Sequence, residues 1–177
     1  GRDCAVDRSG RVDNALIQGI VELSHSLHTE QPKLDRSTIH AAIGRFLYLY
    51  ILLDRGIIKP FWIGEITSDG QSPACPTIHK SLTTDGSGLV EWPESEVWAL
   101  FDAIDNVMNG AIFPISRVQR EALSTRSLHL IHRVIRHGDA VRPGAHQLSF
   151  LDVSFATLRT ETISAIYELF LALEAGN

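Results

Sequence analysis

Three histidines close together in the sequence, His129, His132 and His137, are the side chains best placed to do chemistry. His129 and His132 are three residues apart, so both can face one side of a helix. A catalytic or metal site would need a carboxylate at a similar spacing, but Glu121 lies about two helical turns before His129. Because a cation is favoured near a helix C-terminus, solvated or capping histidines are the better interpretation. We assign no catalytic residue, and a small hydrolase using His132 or His137 is the weakest alternative.

Cys75 and His79 form a second candidate, a pair of soft metal ligands within an irregular stretch. A structural zinc site usually needs four such ligands, and no second close pair accompanies this one. Glycine-rich phosphate loops, a G-x-S-x-G elbow and an H-E-x-x-H helix do not occur in the sequence. We therefore expect neither a metal site nor a cofactor site in this chain.

Positive charge is concentrated in residues 117–146, which hold six arginines against Glu121 and Asp139. That segment carries +4, so the rest of a chain with net charge −5 carries −9. Helical spacing puts five basic residues on one face, namely Arg126, His129, Arg133, Arg136 and His137. One interpretation is a solvated face paired with acidic neighbours. The other is contact with a DNA backbone, in which each arginine would neutralise a phosphate without reading sequence.

Length and composition indicate a single globular domain. The chain has 177 residues, of which 44% are hydrophobic and 21% charged. The net charge of −5 provides no general attraction to nucleic acid or to an acidic membrane. Cys4 and Cys75 are too few for a disulfide framework, which favours a reduced, cytoplasmic protein. The chain begins with Gly1 and Arg2 rather than with Met, which we interpret as a fragment of a longer polypeptide.

The most apolar stretch predicts a central core helix over residues 38–55. Only His40, Gly44 and Arg45 interrupt its apolar residues between positions 39 and 53, so no face of the helix is polar enough for the surface. Its longest uninterrupted apolar run is eight residues, against about 20 for a membrane span. Glycine is unfavourable inside a helix, so Gly44 suggests that another helix passes close to it.

The remaining periodicity predicts a mainly α fold of about five helices packed around that central helix. Residues 57–90 hold no sustained period and predict one long irregular loop. At most a minor β element is expected near residues 148–155. We expect a loose N-terminus over residues 1–11 and a single helical domain over 12–177. The other helices are predicted at residues 12–28, 93–108, 116–136 and 160–173. The buried residues of the last helix are predicted to be Ile163, Ile166, Tyr167, Phe170, Leu171 and Leu173.

Three segments resemble large adenine-specific DNA methyltransferases of restriction-modification and related phage-defence systems. Residues 42–58, AIGRFLYLYILLDRGII, resemble a helix of that family that has an arginine near its start and L-E/D-x-x-G at its end. Residues 101–113, FDAIDNVMNGAIF, resemble its F-x-x-L-N-x-x-x-N-G-x-L-F pattern. Residues 148–171 resemble its Y-D-F-x-x-I-x-x-E-x-x-x-x-I-Y-E-x-F-L pattern. The segments occur in the family's order and span most of residues 38–173.

The resemblance implies a non-catalytic helical connector that precedes the methylase domain of an adenine-N6 enzyme. In the family, the S-adenosylmethionine loop and the N/D-P-P-Y/F motif come after the third segment, and this chain contains neither. The implied partners are the methylase domain of the same parent chain and duplex DNA, and no membrane. Tyr167 and Glu168 lie on the helix that leads to the missing domain, so they are candidates for that junction. The alternative is a stand-alone helical protein-interaction domain without a nucleic-acid role.

Overall fold

The fold, described from a computed structural model, is built from eight α-helices and one short 3-10 helix within the described residues. The structure describes residues 2–84, 90–137 and 155–176, and their side chains from residue 14 onward. These ranges contain no strand, only an isolated bridge between Thr67 and Pro73, so the mainly α fold is confirmed. The α-helices are α1 (Arg2–Glu30), α2 (Arg36–Asp54), α3 (Pro60–Glu65), α4 (Pro76–Thr83), α5 (Glu94–Val107), α6 (Arg117–Ala122), α7 (Thr125–His137) and α8 (Thr160–Ala175).

Helix α2 is the centre of the fold, as the 38–55 prediction requires. Thirteen of its nineteen residues are buried, and it packs against α1, α7, α8 and the 3-10 helix Phe155–Thr157. Gly56 follows the helix with φ of +70°, a conformation in which only glycine avoids a steric cost. Because α2 has packing partners on several sides, its apolar circumference is covered by other helices.

The close approach at Gly44 is made by a loop side chain. A Cβ atom at position 44 would lie 2.4 Å from Cγ of Phe113, in the connector between α5 and α6. The atoms nearest to that position thus belong to a ring outside any helix, and α8 borders Gly44 only across a small cavity lined by Ile163 and Ile166. Phe113 itself has φ of +58°, which is rare for a bulky residue.

The long irregular loop predicted over residues 57–90 contains two helices, which corrects that part of the prediction. Pro60 and Pro76 each occupy the first turn of a short helix, α3 and α4, and these two helices pack together. Proline is tolerated there because the first N–H groups of a helix have no intrahelical acceptor. Between the helices, the Asp69 carboxylate accepts the N–H groups of Gln71 and Ser72 and closes a tight turn.

The helix predicted over residues 116–136 is two helices. Helix α6 begins with a capping box in which Ser116 and Gln119 satisfy each other's backbone N–H groups. The helix then ends, and Ser124 Oγ accepts the N–H of Ser127 at 3.1 Å, which caps the start of α7. The break between them lets α7 turn its apolar face towards α1 and α2.

Three further predictions concern the start of the chain, residues 148–155 and the number of domains. The backbone is helical from Arg2, where we expected a loose N-terminus up to residue 11. The minor β element expected near 148–155 lies outside the described residues, except that Phe155 begins the 3-10 helix. A single domain over 12–177 stays a prediction.

Candidate functional site

Three of the five basic residues predicted to share a face line one cleft. Arg126 and Arg133 are exposed and His129 is half-buried, and all three border a cleft between α7 and the end of α1. The cleft has a volume of about 450 Å³. Its other lining residues are Leu27, Glu30, Gln31, Ser127 and Leu130. Part of the predicted basic surface is thus a concave site.

Polar contacts hold the two sides of this cleft together. Gln31 Nε2 donates to Ser127 Oγ at 2.9 Å, which ties the end of α1 to the first turn of α7. Among the described residues of the lining, Glu30 is the one carboxylate, against two guanidinium groups. These described residues have a net charge of +1 when His129 is neutral, which favours an anion.

Arg136 faces a different part of the molecule. Its guanidinium donates to both carboxylate oxygens of Asp54, each at 2.8 Å, and lies 5.0 Å from the ring centroid of Tyr50. The same carboxylate accepts the N–H of Phe155 at 3.0 Å. Arg136 thus anchors the end of α7 to the end of α2, and it does not line the basic cleft.

His132 is a core residue, which corrects the interpretation of this histidine as solvated or capping. It is buried, its Nδ1 shares a hydrogen bond with the Tyr50 hydroxyl, and its ring centroid lies 4.1 Å from that of Trp92. Burial raises the pKa of Tyr50 well above its usual value of 10, so the hydroxyl keeps its proton and can donate it. The His137 ring packs edge-on against His132 at 5.2 Å, also outside the basic cleft. The void beside His132 among the described residues has no room for a water molecule.

Cys75 and His79 have separate packing roles. The Cys75 thiol is buried and donates to the carbonyl of Glu96 at 3.5 Å, and burial raises the pKa of this thiol to about 11. The His79 ring covers Gly64 of α3. The Glu96 carboxylate accepts the N–H groups of Thr77 and Ile78, which caps α4. Over the described part of the chain, no group of three or more histidine, cysteine and acidic side chains is arranged to hold a metal ion.

Helix α8 contacts the core along one narrow edge. Of the six residues predicted to be buried, only Ile166 and Phe170 are, and they lie in line with buried Thr162. Tyr167 is 51% exposed and Leu171 is 50% exposed, so burial of those two is a wrong prediction. An apolar edge of α8 is therefore left uncovered in this structure.

A groove of about 440 Å³ runs beside that exposed edge. The Phe113 and Tyr167 rings in its wall have centroids 6.0 Å apart, and Ile112 at its rim is 49% exposed. Phe113 also borders a smaller, mostly apolar cavity of about 210 Å³ between α2 and α8. We call the exposed surface of Ile112, Tyr167 and Leu171 the α8 strip.

A serine, a histidine and a carboxylate join α1, α2 and α8. His40 Nε2 lies 2.9 Å from Ser24 Oγ, and His40 Nδ1 lies 3.4 Å from Glu174 Oε2. The His40 ring stacks on Phe170 with centroids 4.3 Å apart. Ser24 is 1% exposed and does not line the groove, so its hydroxyl is not placed to attack a substrate. The arrangement resembles a hydrolase triad in residue types only, and here it attaches α8 to the core.

The three segments that resemble the methyltransferase family contact one another. Arg45 of the first segment forms a two-pronged ion pair with Asp105 of the second. Phe113 of the second segment packs on Gly44 of the first and on Tyr167 of the third. These contacts join positions far apart in the chain, so no local sequence pattern predicts them.

Comparisons with known proteins add no relative. No protein-family model matches the sequence, and no curated protein or solved structure is significantly similar to it. Among the helices of the described ranges, none has both the length and the hydropathy that crossing a bilayer requires.

Proposed function

We propose that this chain is a non-catalytic helical connector domain of an adenine-N6 DNA methyltransferase from a restriction-modification or related defence system. The observation that carries the proposal is the meeting of the three family-like segments at Phe113. This ring contacts Gly44 in the first segment and Tyr167 in the third. Segments that serve a common structural purpose are expected to pack together.

The α8 strip is the surface that would receive the methylase domain of the parent chain. It combines half-exposed Tyr167 and Leu171 with Ile112 from the segment between α5 and α6. Covering the exposed halves of these side chains would contribute about 1 kcal/mol each, since full burial of a large apolar side chain is worth roughly 1.5–3 kcal/mol. Glu168 is exposed beside Tyr167 and would lie at the edge of the junction.

The chemistry of methyl transfer is assigned to the parent protein. S-adenosylmethionine and the target adenine would bind to the methylase domain, and the connector would hold that domain at a set distance from an upstream nuclease or targeting part. The proposal implies a cytoplasmic location, because the substrate of such an enzyme is DNA in the cytoplasm.

The alternative is a stand-alone helical domain that binds another protein through the same α8 strip. An exposed apolar surface on a single domain supports either proposal, since both need a partner that covers it. The two proposals predict different coding sequences downstream of Asn177 in the gene.

The open reading frame beyond Asn177 tests the proposal directly. We expect an Asn-Pro-Pro-Tyr or Asp-Pro-Pro-Tyr type motif within a downstream domain, preceded by a glycine-containing loop for the methyl donor. A stop codon directly after this region, or a downstream domain without that motif, would contradict the connector role and favour the alternative.

A further inference from the structure

We propose that the cleft between α1 and α7 binds the phosphodiester backbone of duplex DNA through Arg126 and Arg133. This inference goes beyond the docking role of α8, because it concerns a separate set of residues on other helices. It also selects, by position, among the basic residues that the sequence placed on one face. Arg126 and Arg133 line the cleft, whereas Arg136 and His137 are not among its described lining residues.

The shape and charge of the cleft fit an anion. Arg126 and Arg133 lie on its wall with exposed side chains, and His129 lies between them in sequence. The first turn of α7 also borders the cleft through Ser127, so the positive end of that helix dipole adds to the field. Glu30 opposes this field and is the single carboxylate among the lining residues that the structure describes.

The spacing of the two arginines favours an extended backbone over a single phosphate ion. They are seven residues apart on one helix, which places them about 10.5 Å apart along its axis. One DNA strand rises about 3.4 Å along the duplex axis per phosphate, so a protein helix lying parallel to that axis would reach phosphates about three steps apart. Contacts of this kind position a protein on DNA without reading its sequence.

Fluorescence anisotropy with a short labelled duplex of mixed sequence tests the cleft, using the chain alone. Two phosphate contacts predict that the affinity of the wild-type chain falls about tenfold between roughly 50 and 200 mM salt. Arg126→Ala and Arg133→Ala should each weaken binding and reduce the slope of log affinity against log salt by about 1. Glu30→Gln should strengthen binding, since it removes the opposing charge.

Arg117→Ala is the matched control. Arg117 lies on α6, outside the cleft, with a side chain that is 93% exposed, so its removal should leave the salt slope unchanged. Replacing chloride with inorganic phosphate at equal ionic strength should displace little DNA if the cleft holds an extended backbone.

Several outcomes would overturn the inference. The first is that the chain binds no DNA at the lower salt concentration. The second is that Arg117→Ala and Arg126→Ala lose affinity equally, or that Glu30→Gln binds DNA no better than wild type. The third is that inorganic phosphate displaces the DNA completely. Circular dichroism of each variant establishes that it is folded. Because the assay contains no methylase domain, its failure would leave the α8 docking proposal standing.

Discussion

The ring of Phe113 occupies the space that a side chain at position 44 would fill, with Cγ only 2.4 Å from the position of a Cβ atom on Gly44. Phe113 holds this position with φ of +58°, a conformation that costs roughly 1–2 kcal/mol for a residue other than glycine. The contact therefore has to stabilise the fold by more than that cost. It joins the central helix to the segment between α5 and α6, which contributes Ile112 to the α8 strip.

Gly44→Ala should destabilise the protein, although the same change inside most helices is stabilising by about 1 kcal/mol. The new methyl group would overlap the Phe113 ring, and overpacking of this kind typically costs about 1–3 kcal/mol. Because the overlap with the ring is severe, we expect a cost of about 2–3 kcal/mol. After the gain of about 1 kcal/mol, the free energy of unfolding, measured by urea denaturation, should fall by about 1–2 kcal/mol.

The Phe113→Ala background supplies the control for this substitution. With the ring removed, an alanine at position 44 meets no overlap, so Gly44→Ala should become stabilising by up to about 1 kcal/mol. A destabilising effect of equal size in both backgrounds would show that the ring does not determine the glycine at position 44.

Asp105→Ala should be among the most destabilising single substitutions of an ion-pair residue in this chain. The Arg45 side chain is 3% exposed and pairs with Asp105 through both guanidinium nitrogens. Removing the carboxylate leaves a buried charge without its partner, which costs about 3 kcal/mol. The comparison is Asp102→Ala, whose partner Arg120 is 25% exposed and whose own side chain is 56% exposed. That variant should lose less than about 1 kcal/mol, and equal losses in the two variants would contradict the assignment.

The stability of the fold should decrease as pH falls below about 6.5 because of His40. Burial lowers the pKa of His40 below its ordinary value of 6.5, and Arg36 acts in the same direction, while Glu174 opposes the shift. The unfolded chain therefore takes up a proton at a higher pH than the folded chain does. The contribution of neutral His40 to the free energy of unfolding is fully present above about pH 6.5 and is lost as pH falls through the folded-state pKa. For one proton, the free energy of unfolding falls by at most about 1.4 kcal/mol per pH unit.

Urea unfolding of His40→Gln over the same pH range isolates this contribution. The groups that face His40 are Ser24 from α1, Glu174 from α8 and Arg36 from α2, and they remain in the variant. His40→Gln should have a flatter dependence of stability on pH than wild type. His25→Gln, at an exposed position of α1, should keep the wild-type dependence. If the stability of His40→Gln depended on pH as strongly as that of wild type, groups other than His40 would cause the loss of stability at low pH.

Cys75 should resist alkylation while the protein is folded. Its thiol is 1% exposed and its pKa is raised by burial to about 11, so very little thiolate forms near neutral pH. In a Cys4→Ser background, mass spectrometry should detect modification by iodoacetamide only after urea is added. Labelling of the folded protein at the rate of a free thiol would contradict the buried position.

Periodicity predicted the elements whose apolar residues recur regularly. The central helix was predicted to within two residues of its start and one of its end, from a stretch with almost no polar positions. Helices α3 and α4, which begin at Pro60 and Pro76, are too short to produce a sustained apolar period in residues 57–90. The break at Ser124 was missed because the apolar spacing continues across it. Periodicity also cannot say what covers a helix, which is why Tyr167 and Leu171 were predicted to be buried.

The candidate sites were predictable only in part, for a related reason. Helical spacing brought Arg126, His129 and Arg133 together, and the structure places all three on one cleft. It gave no sign that Arg136 is bound to Asp54 at the end of another helix. Such pairs depend on how helices pack, and a single sequence holds no signal for them.

Adenine methylation by the longer protein that the connector proposal requires tests the central claim most directly. A Tyr167→Glu, Leu171→Glu variant places two charges on the α8 strip, and Val118→Glu, at a position that is 77% exposed on α6, serves as the matched control. We expect the α8 variant to lose at least about tenfold in methylation rate, which corresponds to roughly 1.4 kcal/mol of lost docking, while the control keeps the wild-type rate. Equal rates in all three proteins, or a parent protein that methylates no adenine, would contradict the account.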